Sequence, residues 1–410
     1  MRICFVSRRY WPAVSGMSIY AENLLRELVA LGHDVTMISQ YRADEAGTRI
    51  YGGGPPPSSR VPGGVRVVAL ASRGEAVVPA DFEGDTAELV DTVVRLHSET
   101  PFDVLHAQYA YPPGLAVLQA SALIGVPNLV SIQGGDGHWV GTCCGTHKSA
   151  MLAVLDHCGA VLIGSASFRD EVVGHHGTAP SRFTIVPGAT DTQRFAPRSG
   201  ALGKLRETPV LLFHGRVDAR KGVLDLMDAV ERLVTGGRDL QLVISGIGPD
   251  LARTERRAAG RAHVRVRGYT APDDAPQVYR DADLFASPTY SEGFSNTILE
   301  AMASGLPVVS TNSVGVIDCL TDGENGLLHE PGDVAGLVAA LERLLDEPAL
   351  RARLAERALS EVRADYSWPV LARNVSAVYD QLAGTTPDLD FSLDADVDQS
   401  CRFRAAPHLL

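Results

Sequence analysis

Short apolar strands alternate with amphipathic helices along almost the whole chain, and this alternation breaks only once. The first half has predicted strands at Arg2–Ser7, Asp34–Ser39, Val65–Leu70, Asp103–Ala107, Asn128–Ile132, Ala160–Gly164 and Thr184–Val186. The second half has them at Val210–His214, Gln241–Ser245, Val264–Gly268, Asp283–Ser287 and Pro307–Ser310. Strands separated by helices form parallel sheets through crossover connections. The pattern therefore predicts an α/β fold of two facing, doubly wound, Rossmann-like domains, with ligands bound in the cleft at strand carboxyl ends.

The break in the pattern sets the domain boundaries. Residues 187–203 are rich in proline, glycine and polar side chains and read as a linker. We expect an N-terminal domain over residues 1–190 and a C-terminal domain over 200–366. A helix over 367–383 is expected to cross back to the first domain. The acidic tail, 384–410, is expected to be extended or disordered.

Composition excludes several classes of function. The chain has 410 residues and a net charge of −12, which argues against nucleic-acid binding. No apolar run is long enough to span a bilayer, and the start lacks a signal-peptide pattern. A cytoplasmic protein without stable membrane association is expected, and its oligomeric state is left open.

Six cysteines occur without disulfide or CxxC spacing. Cys143 and Cys144, followed by His147, suggest a metal at first sight. Structural zinc sites favour spaced ligand pairs, however, so loop and core thiols are the preferred interpretation. The sequence therefore predicts no metal and no cofactor.

The segment from Ser287 to Ser310, SPTYSEGFSNTILEAMASGLPVVS, carries the strongest functional signal. Glu292 and Glu300 stand eight positions apart, with Gly293, Phe294 and Ser295 at the turn before a predicted helix. The free N–H groups at such a helix start bind anions. Carboxylates on either side suit a ligand that has both phosphates and hydroxyls, as nucleotide-sugars do.

Two cations follow the first strand of the second half. Gly215 and Arg216 follow that strand, and Lys221 precedes the next helix. A guanidinium fork and an ammonium at one strand end suit a diphosphate. Taken alone they read equally well as solvated surface cations, but beside the anion site after Glu292 the diphosphate interpretation is favoured.

Weaker signals lie in loops of the first half. Gly16 and Ser18 open the first helix, and Gly16 permits close approach of a phosphate or sugar. Gln133 and Asp136 follow a predicted strand, and His106 lies at the end of another, where polar side chains suit substrate contacts. His106 alone is more often a structural histidine.

Taken together, these residues resemble glycosyltransferase family 4, whose members are retaining enzymes of the GT-B fold. The resemblance runs from the first strand to about Leu382. It implies that Arg216 and Lys221 hold the diphosphate, that the Phe294 and Ser295 amides bind phosphate, and that Glu300 binds the ribose. Glu292 would contact the transferred sugar, and Gly16 the phosphate.

The similar segments also include Ile185–Pro197, IVPGATDTQRFAP, and the late Tyr366–Trp368, YSW. Four residues separate Arg216 from Lys221, where the family has five. The chain also departs from the family pattern at Ser15, where a second glycine is usual, and at Gln133, where a histidine usually contacts the donor sugar. Glutamine still hydrogen-bonds a hydroxyl, but it does not titrate near neutral pH. We therefore assign no general base.

The predicted catalytic residues are Arg216, Lys221 and Glu292. Donor contacts are predicted for these three and for Gly16, Gln133, Gly293, Phe294, Ser295 and Glu300, and acceptor contacts for Ser18, His106 and Asp136.

The predicted reaction moves a hexosyl or N-acetylhexosaminyl unit from a nucleotide-sugar, with UDP as the expected nucleotide, to a hydroxyl of a soluble small molecule. An aminocyclitol or another natural-product scaffold is the expected acceptor, because the first half carries no excess of basic residues for an anionic membrane. Its expected contacts come from Tyr41–Gly64, Ala71–Gly84 and Trp139–His147. The alternatives are a nucleotide-sugar epimerase, a pseudo-glycosyltransferase with a cyclitol donor, and a non-catalytic nucleotide-sugar binder.

Overall fold

A computed structural model describes residues 1–13, 15–45, 53–200, 202–393 and 397–407. The chain divides into two compact units. Unit 1 comprises Met1–Pro187 and Trp368–Leu410, and unit 2 comprises Gly188–Ser367. In the described part of the chain, no helix is both long and apolar enough to cross a bilayer.

Unit 1 is built on a seven-stranded, fully parallel sheet with the strand order β3-β2-β1-β4-β5-β6-β7. Its strands are β1 Arg2–Ser7, β2 Asp34–Arg42, β3 Val65–Ser72, β4 Val104–Gln108, β5 Asn128–Ile132, β6 Ala160–Ile163 and β7 Phe183–Ile185. The strand order reverses between β1 and β4, which is the topological switch point where doubly wound folds bind ligands.

The main helices of unit 1 connect these strands and cover the sheet. They are α1 Gly16–Ala30, α2 Phe82–Glu99, α3 Leu115–Ile124, α4 Gly135–Trp139, α5 Gly145–His157, α6 Ala166–His176 and, late in the chain, α13 Trp368–Leu382. The late helix lies beside α1, since the Tyr20 and Trp368 rings are 5.7 Å apart and Ser376 Oγ lies 2.8 Å from His33 Nε2.

Unit 2 repeats the same plan with a six-stranded parallel sheet in the order β10-β9-β8-β11-β12-β13. Its strands are β8 Val210–His214, β9 Gln241–Ser245, β10 Val264–Gly268, β11 Leu284–Ser287, β12 Val308–Thr311 and β13 Leu327–His329. The helices are α7 Val223–Thr235, α8 Leu251–Ala258, α9 Ala275–Arg280, α10 Asn296–Ala303, α11 Val334–Asp346 and α12 Pro348–Asp365. The switch point lies between β8 and β11.

Both faces of the sheet of unit 2 are covered by apolar side chains at helical spacing. Leu226, Val230 and Leu233 of α7 pack on one face, and Ile298 and Met302 of α10 on the other. Burial on both faces explains why inner strands such as β8 and β11 read as continuous apolar runs, whereas the edge strand β10 alternates. The fold class predicted from the sequence, two doubly wound parallel-sheet domains, is confirmed.

The end of the tail is packed against the rest of unit 1. Residues 386–393 contain neither helix nor strand, as the acidic composition predicts, but a short helix follows at Arg402–Ala405 (α14). Phe403 and Arg404 are buried there, and the Arg404 guanidinium pairs with Glu83. Composition gave no sign of this, because the few apolar residues stand apart from the acidic run.

Candidate functional site

The predicted donor residues of unit 2 lie at the switch point of its sheet. Arg216 and Lys221 follow β8, and Glu292 follows β11, the strand that neighbours β8. Because the carboxyl ends of parallel strands meet at one edge of a sheet, residues about seventy positions apart in sequence come together.

Lys221 and Glu292 form the centre of this site. Lys221 Nζ lies 2.8 Å from Glu292 Oε2 and donates to the Ser291 carbonyl at 3.2 Å. The two side chains retain 29% and 17% of their exposure, so both are open to a ligand. An ammonium that keeps solvent access beside a carboxylate can bind a phosphate on its other side.

Two glycines allow the backbone segments that carry Lys221 and Glu292 to lie close to neighbouring backbone. Gly222 has φ +69°, and a Cβ there would lie 1.9 Å from the Pro288 carbonyl oxygen. Gly315 has φ +76°, and its Cβ would lie 2.1 Å from the Glu292 carbonyl oxygen. Larger residues at either position would force the backbone carrying Lys221 or Glu292 to move.

Arg216 lies at the same edge and is largely exposed. Its Nε is 3.3 Å from Asp218 Oδ2. Burial alone would raise the pKa of Asp218, but hydrogen bonds from Arg220 and the charge of Arg216 hold that pKa below its ordinary value. Asp218 is therefore an anion that positions Arg216 at the mouth of the site.

The start of α10 provides donors for an anion. Ser295 precedes the helix, and its hydroxyl makes no capping hydrogen bond among the described residues. The first N–H groups of the helix therefore have no side-chain cap from Ser295, and they lie at the positive end of the helix dipole. Phe294 and Ser295, whose amides were predicted to bind phosphate, lie at this turn.

Glu300 lies on the second turn of α10. Its Oε2 accepts a hydrogen bond of 2.7 Å from the Tyr279 hydroxyl. Burial raises the pKa of Glu300 to about 7, against the lowering effects of Tyr279 and of Arg194. The carboxyl group thus changes charge near neutral pH. Its other oxygen, Oε1, can accept a hydrogen bond from a ligand hydroxyl.

Sequence reasoning missed three contributors to this site. Tyr279 orients Glu300, and Asn296 has a buried Oδ1 with no hydrogen-bond partner in the described ranges. Gly188 lies so close that a Cβ would be 2.3 Å from that Oδ1. Gly188 and Asn296 lie in two segments singled out from the sequence, Ile185–Pro197 and Ser287–Ser310, but neither residue was assigned a role there.

The predicted residues of unit 1 divide into exposed and buried groups. Gly16 is exposed at the start of α1, with nothing within 4 Å of a Cβ placed there. Gln133 is half-buried, and its Oε1 accepts from Gln108 Nε2 at 2.9 Å. Gln108 also donates to the Met17 carbonyl at 3.0 Å, which ties Gln133 to the start of α1.

The three predicted acceptor residues are fully buried. The Ser18 hydroxyl donates to the Ala13 carbonyl at 2.5 Å. His106 Nδ1 and Nε2 each lie 2.7 Å from a hydroxyl, of Tyr379 and of Ser131 respectively, and burial lowers its pKa to about 3. His106 is thus a neutral structural histidine here, and its ring offers no surface to an acceptor.

Asp136 has a similar structural role. Its Oδ1 accepts from the Gln133 and Gly134 amides at 3.1 and 2.9 Å, and its Oδ2 accepts from the Ala110 amide at 2.8 Å. Burial raises the pKa of Asp136, although these backbone donors oppose the rise. Asp136 shapes the loop that presents Gln133, and it has no exposed surface of its own.

A polar pocket opens at the carboxyl ends of β1, β2 and β3. Its lining comprises Arg8, Arg9, Tyr10, Ala13, Gln40, Tyr41, Arg42, Ser72 and Glu75. Tyr41, Ser72 and Glu75 fall in two of the loops expected to contact an acceptor. Residues 46–52 of the Tyr41–Gly64 loop lie outside the described residues.

Three arginines, Arg8, Arg9 and Arg42, surround one buried carboxylate, Glu75, in this pocket. Arg8 Nε lies 2.5 Å from Glu75 Oε1, and Arg42 Nη1 lies 3.6 Å from Glu75 Oε2. Burial alone would raise the pKa of Glu75, but Arg8, Arg9 and Arg42 hold it below its ordinary value.

Comparison with known proteins identifies the family of the chain. The family model described as glycosyl transferases group 1 matches residues 208–347, and the glycosyl transferase 4-like domain matches residues 15–189. The chain is a family 4 glycosyltransferase. It is an enzyme that uses a nucleotide-sugar donor, and its fold is GT-B.

Individual relatives cover almost the whole glycosyltransferase. The chain is 29% identical over 404 residues to a glycogen synthase of Mycobacterium tuberculosis, covering 92% of this chain and 94% of the relative. It is 26% identical over 422 residues to a D-inositol 3-phosphate glycosyltransferase of Corynebacterium diphtheriae, covering 93% and 95%. The structure of Anabaena Alr3699/HepE in complex with UDP superposes with a TM-score of 0.72 at 18% identity, covering 93% of this chain and 100% of that one.

Proposed function

We propose that this glycosyltransferase moves a hexosyl or N-acetylhexosaminyl unit from a UDP-sugar to a hydroxyl of a small soluble acceptor, with retention of the anomeric configuration. The observation that carries the donor assignment is the Lys221–Glu292 pair, 2.8 Å apart at the switch point beside the uncapped start of α10. Uracil is favoured because Anabaena Alr3699/HepE, similar in fold, was solved in complex with UDP.

In the proposed site each group has one task. Lys221, Arg216 and the amides at the start of α10 hold the diphosphate. Glu300 accepts hydrogen bonds from the ribose hydroxyls, and Glu292 accepts one from the transferred sugar. Fixed donors aimed at a leaving group are the largest contribution in many enzymes, and loss of one costs about 10²–10³ in rate.

The proposed reaction breaks the bond between the anomeric carbon and the diphosphate oxygen. The acceptor oxygen forms its bond to the same carbon from the same face, which retains the configuration. Its proton passes to the oxygen of the leaving diphosphate. Negative charge grows on that diphosphate, where Lys221 and Arg216 stabilise it.

The acceptor is assigned to the pocket around Glu75. Nη1 of Arg8 is buried there and has no hydrogen-bond partner within the described ranges. Guanidinium groups bind phosphate and carboxylate in preference to amines. The lining therefore favours a polyol with an anionic group over a cationic aminocyclitol, and one relative acts on D-inositol 3-phosphate by its name.

The test begins with a thermal-shift screen of nucleotide-sugars, since a ligand that binds only the folded state raises the melting temperature. UDP release is then measured with matched neutral and phosphorylated polyols, and NMR gives the configuration of the product. Donor converted without acceptor identifies an epimerase. Tight donor binding without turnover across the panel identifies a binding protein, and an inverted product contradicts retention.

A further inference from the structure

Three cysteine sulfurs of unit 1 surround one imidazole nitrogen. Nδ1 of His147 lies 3.2 Å from Sγ of Cys143, 3.2 Å from Sγ of Cys144 and 3.3 Å from Sγ of Cys401. Cys143 and Cys144 immediately precede α5, and His147 lies in its first turn. Cys401 comes from the tail, 254 positions further along the chain.

Hydrogen bonding does not account for this convergence. A neutral imidazole nitrogen carries either one proton or one lone pair, so it makes one hydrogen bond. Three thiols at 3.2–3.3 Å from the same atom leave two of them without a bond to it. The four groups are arranged as ligands are arranged around a shared centre.

The distances agree with a tetrahedral metal ion. Zinc lies about 2.3 Å from thiolate sulfur and about 2.0–2.1 Å from imidazole nitrogen, so tetrahedral sulfurs lie about 3.8 Å apart, and sulfur lies about 3.6 Å from nitrogen. Here the sulfurs of Cys143 and Cys144 are 3.9 Å apart. No two of the four ligand atoms are more than 4.8 Å apart.

We propose that Cys143, Cys144, His147 and Cys401 bind one zinc ion as a structural site. Three thiolates and one imidazole are a common structural zinc set, and four protein ligands leave no position open for a substrate. Soft thiolate ligands favour zinc over magnesium or calcium, which prefer oxygen.

The surroundings of the cluster suit a structural metal. His147 and Cys401 are buried, and the rings of Phe82, Tyr111 and Phe403 lie 5.9, 4.6 and 6.0 Å from the His147 ring. An apolar shell of this kind excludes water and competing ligands.

A backbone N–H group and the start of α5 also favour a thiolate at Cys144. The His147 amide donates to Cys144 Sγ at 3.5 Å, so Cys144 caps α5 with its sulfur. The positive end of a 13-residue helix stabilises negative sulfur at this position.

The metal would fasten the tail to the rest of unit 1. Around Cys401 the tail makes its own contacts: the Asp398 amide donates to Thr146 Oγ1 at 2.7 Å, and the Ala80 amide donates to the Arg404 carbonyl at 2.8 Å. Arg8, which lines the pocket around Glu75, donates to the Pro407 carbonyl at 3.2 Å. Zinc would thus stabilise the segment that holds one side of that pocket.

The first measurement is the metal content of the full chain. The protein is purified without an affinity tag under reducing conditions, and its zinc content is measured by inductively coupled plasma mass spectrometry. About one zinc per chain is expected. Cobalt added to chelator-treated protein should give the thiolate charge-transfer and tetrahedral ligand-field absorption bands. Absence of both zinc and these bands overturns the proposal. An intact chain mass two hydrogens below that of the fully reduced chain also overturns it, because that mass indicates a disulfide.

Variants assign the ligands. Cys401→Ser should lose most of the zinc and melt several degrees lower, because the metal bound only to the folded state no longer contributes. Cys158→Ala, which removes a buried cysteine outside the cluster, should keep its zinc. A strong chelator should lower the melting temperature of the wild type to that of Cys401→Ser, and leave the variant unchanged. Full zinc content in Cys401→Ser contradicts the assignment.

Discussion

The two units share one plan but use polar residues differently. In unit 2 the groups assigned to the donor keep solvent access, with 29% exposure for Lys221 and 17% for Glu292. In unit 1, His106 lies inside β4 rather than after it, Asp136 lies in the first turn of α4 after β5, and neither has any exposed surface. A polar residue after a strand can therefore either bind a ligand or hold the loop that does.

The difference follows from the partners that each residue finds. In unit 1, His106 meets two hydroxyls, and Asp136 meets three backbone amides, so their hydrogen bonds are satisfied internally. In unit 2, Lys221 has a carboxylate and one carbonyl as partners and retains an open side. The following predictions test this contrast, from the largest expected effect to the smallest.

Lys221→Ala should lower kcat by at least about tenfold and by as much as about 10³, because one preorganised cation is lost from the leaving group. The melting temperature should change little. Lys204→Ala, which removes an exposed lysine of the same unit, is the matched control and should keep full activity. Unchanged turnover in Lys221→Ala would remove the basis for the diphosphate assignment.

His106→Ala should lower the free energy of unfolding by about 2–4 kcal/mol, since it leaves the hydroxyls of Tyr379 and Ser131 without their buried partner. Urea unfolding measures this loss. The acceptor KM of the folded variant should equal that of the wild type. A raised acceptor KM with unaltered stability would restore His106 as an acceptor contact.

Arg42→Ala should raise the KM for an anionic acceptor about tenfold, which corresponds to one charge-assisted hydrogen bond. The donor KM should not change. Arg66→Ala removes an exposed arginine on β3 and serves as the control. Equal effects of both substitutions would show that the pocket around Glu75 has no particular role.

Glu300→Ala should raise the donor KM severalfold while kcat changes less, because the ribose loses an acceptor. In the wild type, the pKa of about 7 makes the carboxylate form dominant only above that pH. Donor kcat/KM should therefore fall about tenfold from pH 8 to pH 6 as Glu300 takes up a proton. Glu300→Gln should lack this slope, and a slope that persists there would point to another group.

Much of the fold could be predicted from the sequence, because strand and helix signals are local. The strands at Arg2–Ser7 and Asn128–Ile132 were predicted to the residue, and the same holds for the first three strands of unit 2. The short strand Leu327–His329 was missed, since three residues carry too little pattern. The proximity of Lys221 to Glu292 was predictable from the fold class, since both follow neighbouring strands.

The residues that the sequence could not place depend on contacts over long distances. Tyr279 contacts Glu300 from another helix, and the sequence spacing of the two residues does not predict this contact. From the sequence near Cys143 and Cys144 alone, a metal was not expected, because structural zinc sites favour spaced ligand pairs. The fourth group, Cys401, lies in a tail whose composition predicts disorder.

The amino-acid sequence by itself determined two parallel sheets and the strand ends at which Arg216, Lys221 and Glu292 lie, because periodicity and chain order fix these features locally. Only the tertiary structure decided that Ser18, His106 and Asp136 are buried, and that Cys401 meets His147. Burial and distant pairing depend on how helices and tail pack onto a sheet, and packing is a property of the whole folded chain rather than of any one segment.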